Sequence, residues 1–212
     1  MDAVTAGAPR ARWVRSMVLM GAVLAACALA GTGAAQGGPG ATAPGGTGHP
    51  AWLDLPLTDV ATGETFTLGG FEGRTVYVEA MATWCTNCRR LLQSVKEAMA
   101  RADEDAYVFV GISVEGNLPD ETLAEYARRW NFPLKFAVAT PDLLAALIAN
   151  YGRDVTVPPS TPHFLVRFDG TVTGLNLGFK SPDEILKYVW LGSDMTTAAP
   201  TAGPWLDLDQ IY

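Results

Sequence analysis

The sequence is poor in cysteine, histidine and charge. Among its 212 residues are three cysteines and two histidines, and 17% of the residues are charged, against roughly 25% in an average soluble domain. Three cysteines are too few for a disulfide-stapled scaffold and too few for a four-thiolate zinc or iron–sulfur centre. We therefore predict a protein without a metal site.

Positive charge is the scarcer sign. The chain has 15 lysines and arginines against 22 aspartates and glutamates, for a net charge of −7. Nucleic-acid binding draws its affinity largely from basic side chains that neutralise phosphates, and a polybasic membrane patch needs the same residues. The composition therefore argues against both, and we predict no nucleic-acid partner.

Residues 1–30 have the pattern of an export leader. Arg10, Arg12 and Arg15 precede an uncharged apolar run of 14 residues, 17–30, which is shorter than the ~20 residues of a membrane-spanning helix. Basic residues before such a run stay on the cytoplasmic side. We predict a signal peptide, with everything after it exported to the periplasm or another extracytoplasmic space.

The pattern leaves the processing of this leader open. Residues 24–27 read Leu-Ala-Ala-Cys, which resembles the lipobox of bacterial lipoproteins and predicts lipidation of Cys27 and a lipid anchor in the membrane. Residues 28–30 read Ala-Leu-Ala, which fits an ordinary signal-peptidase site that would discard Cys27; cleavage after Ala35 is the other such site. In a third interpretation the leader stays uncut and is itself the anchor.

Composition divides the rest of the chain into three parts. Residues 31–50 are rich in glycine and proline and predict a flexible linker, since they offer little apolar area to offset the entropy of ordering. Residues 51–192 carry the hydrophobic periodicity of one domain. Residues 193–212 return to alanine, proline and threonine and predict a C-terminal tail.

The domain alternates strand and helix patterns. We predict an N-terminal hairpin, three buried strands, three helices between them, a second hairpin and a last helix. In chain order these are strands 53–57, 65–68 and 75–81, a helix from 86, strand 107–114, helix 119–130, strand 134–139, helix 141–151, strands 164–168 and 171–177, and helix 183–190. This order indicates an α/β fold with a central mixed β-sheet flanked by helices.

Cys85 and Cys88 lie where a buried strand gives way to an amphipathic helix. Cysteines three residues apart in a first helical turn are close enough to bridge. The free N–H groups and the dipole at a helix N-terminus favour an anion, which lowers the pKa of a thiol there below its ordinary ~8.5. Because the thiolate attacks disulfides, we predict Cys85 as an exposed nucleophile and Cys88 as the more buried resolving cysteine.

Three stretches resemble the thioredoxin superfamily, and within it the exported TlpA-like oxidoreductases. They are residues 82–89, which hold the Trp-Cys-x-x-Cys motif, residues 71–79 before it, and residues 160–166 with the Asp-Gly pair at 169–170. The resemblance implies a thioredoxin fold with an N-terminal β-hairpin extension and an inserted helix. It also implies an enzyme, a thiol–disulfide oxidoreductase whose redox group is the Cys85–Cys88 disulfide, with no further cofactor.

The resemblance further implies a substrate site. In that family the bond before the matching proline is cis and the backbone there pairs with the substrate chain, so Thr161 and Pro162 become substrate-binding candidates facing Cys85. Trp84 is expected beside them. The alternative is a trans proline that starts an edge strand.

Two titratable residues accompany the motif. Glu79 lies in a strand suited to burial, where an ionised carboxylate is costly, and the resemblance implies a general base for Cys88; the alternative is a carboxylate that reaches solvent at a sheet edge. His163 could tune a thiolate. We expect a structural role for it, because adjacent strand residues point to opposite faces.

The predicted function is reduction of protein disulfides outside the cytoplasm. Disulfide-containing extracytoplasmic proteins would be the substrates, apocytochrome c in cytochrome c maturation among them, and a membrane thiol donor would supply electrons, because that compartment is oxidising. Thr86 and Asn87 stand where ordinary thioredoxins have Gly-Pro. Because the residues between the two cysteines tune the reduction potential of the disulfide, the direction of electron transfer stays open. An oxidase, an isomerase, a peroxidase, a copper(I) metallochaperone and a binding module with a structural bridge remain alternatives.

Overall fold

The computed structural model describes residues 48–71 and 73–193, all of which belong to the compact unit Ala43–Tyr212. The predicted signal peptide, the lipidation candidate Cys27 and nearly all of the predicted linker and tail lie outside the described residues. None of the helices within these ranges is long and apolar enough to cross a membrane.

A four-stranded mixed sheet forms the centre of the domain. Strands β3 (Thr75–Met81), β4 (Tyr107–Ser113) and β5 (Lys135–Val138) are parallel, β6 (His163–Val166) is antiparallel to β3, and the spatial order is β5-β4-β3-β6. Every residue of β3 and β4 is buried, as the near-continuous apolar runs of parallel strands require. The predicted α/β class and mixed sheet are confirmed.

Helices cover both faces of this sheet. Helices α1 (Thr86–Met99), α2 (Asp120–Trp130) and α4 (Pro182–Leu191) pack on one face, which we call the α1 face. Helix α3 (Pro141–Tyr151) and the segment before β3 pack on the other, the α3 face. Because side chains alternate along a strand, odd-numbered residues of β3 point to the α1 face and even-numbered ones to the α3 face.

Local signals fix the helix ends. Ser181 caps α4 in a capping box with Glu184, and Thr140 accepts from the Leu143 N–H at the start of α3. Helix α3 ends at Gly152 with φ of 73°, a conformation that glycine adopts without steric cost. These ends agree with the sequence interpretation.

The N-terminal hairpin is shorter than predicted, and its first strand was placed wrongly. Ala51–Asp54 form a 3-10 turn, and the hairpin consists of β1 (Leu57–Thr58) antiparallel to β2 (Thr65–Phe66). Pro56 has no N–H to give to a ladder, and Leu53 is fully buried on the α3 face. The alternation of apolar and polar residues at 53–57, which predicted a strand, therefore belongs to a turn with one buried side.

The second predicted hairpin has only one true strand, β6. The returning segment makes isolated bridges, Asn176 with His163 and Val172 with Val166. Between them the Leu165 N–H donates to Thr173 Oγ1 at 2.9 Å. A side-chain hydroxyl thus takes the place of a ladder carbonyl, which explains why 171–177 is not a strand.

Candidate active site

Cys85 and Cys88 form a disulfide, with their Cα atoms 5.3 Å apart. Strand β3 ends at Met81, and a turn closed by the Cys85 N–H on the Ala82 carbonyl, at 3.0 Å, leads directly into α1. Cys85 is the N-cap residue of that helix. The redox pair therefore occupies the strand-to-helix junction that its spacing predicts.

One hydrogen bond reaches the Cys85 sulfur. The Cys88 N–H donates to Cys85 Sγ at 3.0 Å, and within residues 48–71 and 73–193 it is the one hydrogen bond recorded at that atom. This N–H is one of the free donors of the first helical turn. Once the disulfide is opened, the same donor and the helix dipole favour a thiolate on Cys85.

Both cysteines are more buried than expected. Cys88 is fully buried, as predicted, but Cys85 is only 3% exposed, so the expectation of an exposed nucleophile is wrong for the disulfide form. The reason is that the Cys85 sulfur is bonded inward to Cys88, over the first turn of α1. Trp84 beside it is 64% exposed and is the open apolar surface at the site.

A proline-rich segment lies against the redox pair. The Pro158 carbonyl oxygen is 3.0 Å from Cys88 Sγ, and Asn87 Nδ2 donates to the Pro159 carbonyl at 2.9 Å. Reduction gives Cys88 a thiol hydrogen that this first carbonyl can accept. This segment therefore contacts the Cys88 sulfur and the residue before it, and the placement of Thr161 and Pro162 opposite Cys85 stays a prediction.

Thr161 has its backbone groups already engaged within the protein. Its φ is 51°, its N–H donates to the Pro158 carbonyl at 2.8 Å, and its carbonyl accepts from His163 Nδ1 at 2.8 Å. The Pro162 carbonyl accepts from the Ala80 N–H at 2.9 Å and extends the β3–β6 ladder. Substrate pairing at Thr161 and Pro162, and the cis bond between them, stay predictions.

Glu79 is a fully buried acid on the α1 face. It is 0% exposed, and neither carboxylate oxygen has a hydrogen-bond partner among the described residues. Burial raises its pKa well above the ordinary value, which favours the neutral acid. Its carboxyl group does not reach solvent, and it shares the α1 face with Cys88.

His163 lies directly opposite Glu79 in the β3–β6 register. Its Nδ1 carries the hydrogen, since a carbonyl such as that of Thr161 can only accept. Its ring stacks on Tyr77 with centroids 5.6 Å apart, and burial lowers its pKa to about 4. The imidazole is therefore neutral near pH 7, with Nε2 buried and unpartnered among the described residues.

Glu115 is a site residue that the sequence analysis missed. It follows β4, and its carboxylate accepts from the Thr83 N–H at 2.6 Å, the Thr83 hydroxyl at 3.2 Å and the Ser113 hydroxyl at 3.2 Å. It thereby fixes the turn just before Trp84. The sequence signal for this role of Glu115 was weak, because only the parallel pairing of β3 and β4 brings the ends of the two strands together.

The described residues contain no group of three or more histidine, cysteine, aspartate and glutamate side chains able to hold a metal ion.

Solved structures share this arrangement of strands and helices. A thioredoxin-family thiol:disulfide interchange protein from Chlorobium tepidum TLS superimposes with a TM-score of 0.56 and 22% identity, over 65% of this chain and 92% of that one. The chain has a thioredoxin fold. The fold predicted from the Trp-Cys-x-x-Cys context is thus confirmed, with its N-terminal hairpin.

Two further thioredoxin-fold structures are similar to this chain. A secreted Mycobacterium tuberculosis disulfide oxidoreductase homologous to Escherichia coli DsbE matches with a TM-score of 0.52 and 20% identity, over 66% of this chain and 97% of that one. The exposed lipoprotein thioredoxin of Streptococcus pneumoniae strain TIGR4 matches with 0.52 and 22%, over 64% and 96%. No family model and no curated protein sequence matches the chain.

Proposed function

We propose that this protein is an extracytoplasmic thiol–disulfide oxidoreductase that reduces protein disulfides. The observation that carries the proposal is the Cys85–Cys88 disulfide at the N-terminus of α1, with the Cys88 N–H on the Cys85 sulfur. A four-residue bridged loop constrains the unfolded chain little, so stability alone does not account for the pair.

The reaction has two exchange steps. In the reduced protein the Cys85 thiolate attacks a partner disulfide, one partner sulfur leaves as a thiol, and a mixed disulfide forms. Cys88 then loses its proton and attacks the Cys85 sulfur, which releases the second partner thiol and closes the Cys85–Cys88 bond. The partner gains two electrons and the protein loses two, so a thiol donor must reduce the protein again.

Glu79 is the base that this second step needs. It lies on the sheet face that carries Cys88, and burial raises its pKa. A group whose pKa is raised toward the operating pH is suited to exchange a proton there. Glu79 takes the Cys88 proton when it is ionised and returns to its neutral form.

The small number of groups that contact the Cys85 sulfur in the disulfide form supports the reducing direction. A strongly oxidising dithiol is one whose reduced form is heavily stabilised. Within the described residues one N–H contacts Cys85 Sγ, and no Lys or His hydrogen bond is recorded there. Modest stabilisation of the thiolate leaves the disulfide form favoured, which makes the reduced protein a donor of electrons.

Export and tethering rest on the leader. The apolar run after three arginines and the Leu-Ala-Ala-Cys sequence ending at Cys27 support a lipid-anchored protein outside the cytoplasm, with a membrane thiol donor and disulfide-containing partners such as apocytochrome c. A secreted oxidoreductase and an exposed lipoprotein thioredoxin share the fold, which adds support. Labelling with a radioactive fatty acid, with C27A as control, tests the anchor.

A trapping experiment tests the activity. C88S lacks the resolving thiol and should accumulate mixed disulfides through Cys85, whereas the matched C85S variant should accumulate none. Mass spectrometry of the trapped adducts identifies the partner cysteines. Equal adducts with both variants, or none with C88S, would defeat the oxidoreductase proposal and favour a structural bridge.

A further inference from the structure

Two neighbouring arginines follow the redox pair on α1, and each lies on an aromatic ring of another segment. The Arg89 guanidinium carbon is 4.5 Å from the centroid of the Trp130 ring, and that of Arg90 is 4.4 Å from the centroid of the Phe179 ring. A cation over a ring at this distance is attracted to it. The first turn of α1 has no acidic side chain, and neither guanidinium has a hydrogen bond or an ion pair within residues 48–71 and 73–193.

A cleft of about 200 Å³ lies beside the redox pair, and we call it the Arg90 cleft. Its walls include Arg90, Phe179, Asn87, Ser160 and Thr161. Asn87 stands between the two cysteines, and the segment that leads to Ser160 contacts the Cys88 sulfur through the Pro158 carbonyl, at 3.0 Å. A group bound in the cleft therefore lies next to the disulfide.

The neutral polar side chains of this cleft are already engaged within the protein. The hydroxyls of Ser160 and Thr161 and the amide of Asn87 each donate to a carbonyl of residues 157–160, at 2.7 to 2.9 Å. Arg90 supplies the charge of the cleft, since the described residues that line it include no other charged side chain. Its planar fork of N–H donors suits a carboxylate in two-point contact. The cleft is therefore complementary to an acidic group.

Exposed apolar side chains near the cleft indicate that this acidic group belongs to a protein. Trp84 precedes the redox pair, Val157 precedes the proline segment, and Leu177 is two residues from Phe179; all four side chains are 46% to 64% exposed. Exposed apolar surface with a polar rim marks a protein interaction site. A free anion would gain nothing from these side chains, whereas a partner segment would remove their apolar area from water.

The distance along α1 places the acid relative to the partner's cysteine. Arg90 follows Cys85 by five residues, which is about 7.5 Å along the helix axis. An extended partner chain covers about 7 Å in two residues, and its side chains alternate between two faces. The residue two positions from the partner's cysteine therefore points to the same side as that cysteine and reaches Arg90 while the cysteine meets Cys85.

We propose that the Arg90 cleft selects partner proteins that carry Asp or Glu two residues from the cysteine attacked by Cys85. The inference rests on the proposed function and names its substrate class. Arg90 determines specificity through an ion pair and takes no part in the exchange of thiols. Arg89 does not share this role, because Glu125 lines the cleft that Arg89 forms with Trp130 and places a carboxylate of the protein itself there.

Symmetric disulfide dimers of one short peptide test the selection, because attack on either sulfur releases the same peptide. Three peptides of equal net charge hold a single Glu two residues before the cysteine, two residues after it, or six residues away. Acid quench and mass spectrometry give the rate at which the reduced protein releases each peptide. At least one near position should react about fivefold faster than the remote one. Fivefold corresponds to about 1 kcal/mol at ~1.4 kcal/mol per factor of ten, the upper end for an exposed ion pair.

Variants assign this near-to-remote ratio to Arg90. R90Q should lower the ratio to about one, R90K should keep part of it, and F179L, which removes the ring beside the guanidinium, should reduce it. R89Q is the matched control, since it removes the neighbouring arginine on a ring, and should keep the wild-type ratio. Salt at about 1 M should reduce the ratio, because the screening length falls to ~3 Å.

Each ratio is taken on one protein sample, so any loss of folded protein cancels. Equal rates for the three peptides in the wild type, or the same loss in R89Q as in R90Q, would overturn the acidic subsite and leave the oxidoreductase in place. No release from any of the three peptides would defeat the proposed function and the subsite with it.

Discussion

The two faces of the sheet differ in what they bury. On the α3 face every buried residue of β3, β4, β5 and β6 is a hydrocarbon, among them Val78, Ile112 and Phe164. On the α1 face the same strands bury Glu79, His163 and Tyr77, each with a side-chain polar atom that has no partner among the described residues. Buried polar groups without partners cost stability, so the strands carry this cost on the α1 face only; on the α3 face the unpartnered polar atoms, Trp52 Nε1 and Tyr151 Oη, belong to the segments that cover the sheet.

This difference indicates a division of labour within one sheet. The strands give the α3 face hydrocarbon side chains to pack, whereas they give the α1 face, which also holds Cys88, three titratable side chains. Mutations on the two faces should therefore change different observables.

Leu147→Ala, on α3, should act through stability alone. Leu147 is fully buried, and truncation of a buried leucine costs about 3 kcal/mol, within the usual ~2–5. Urea unfolding between pH 5 and 8 should show a similar loss at each pH, and the folded variant should keep the wild-type reduction potential. A shift in potential would show that the two faces are not separate.

Glu79→Gln, on the α1 face, should have the opposite signature. Loss of the base should slow the resolving step about a hundredfold near pH 7, at the low end of the ~10²–10⁴ range for general bases, with the first exchange step unchanged. Stopped-flow and acid-quench kinetics with oxidised glutathione measure both steps. Glu79→Asp, which keeps the acid, should recover part of the rate.

The pH dependence of stability should also separate Glu79 from His163. Burial raises the pKa of Glu79, so the stability that its neutral form provides is complete below the unfolded value of ~4.3 and is lost as pH rises from there through the folded pKa. Glu79→Gln should therefore flatten the alkaline side of the stability profile. A profile unchanged by the substitution would contradict the buried neutral acid.

His163 should give the reverse slope. The pKa of His163 falls from ~6.5 in the unfolded chain to about 4 in the folded protein. The stability that its neutral form provides is therefore complete above pH ~6.5 and is lost as the pH falls toward 4. His163→Gln should remove about 3 kcal/mol of that acid-side loss, by the linkage of pKa to stability. Val166→Ala, on the other face, should leave the acid-side slope intact.

Asn87→Ala should have the smallest effect. It removes the hydrogen bond to the Pro159 carbonyl, whose net value is about 1 kcal/mol, at an exposed position between the cysteines. The proline segment should loosen, seen as faster amide exchange at 160–161, while global unfolding changes little. Asn87→Gln offers a longer amide as the comparison, and unchanged exchange in both would remove this contact from the account.

Much of the fold and the position of the cysteine pair were predictable from the sequence, because the sequence patterns that determine them are local. Cys85 and Cys88 follow from a spacing at a strand-to-helix junction, and the burial of Glu79 follows from its place in an apolar strand. The end of α3 at Gly152 and the cap of α4 at Ser181 are likewise local rules. Each depends on residues within one turn or one strand.

Non-local features were not predictable. Glu115 reaches the site only because β4 pairs with β3, and this pairing has no local pattern. The failed strand at 171–177 has the same origin, since the Thr173 hydroxyl that replaces a ladder bond looks in sequence like an ordinary strand threonine. Three-dimensional pairing decided both.

The most direct test of the central claim is a redox titration of the Cys85–Cys88 pair, followed by the fluorescence of the protein. The account predicts one reversible two-electron transition, abolished in C88S, with a midpoint closer to the about −270 mV of thioredoxin than to the about −120 mV of a strong oxidase. No reversible transition would contradict the oxidoreductase, and a midpoint near −120 mV would contradict its direction.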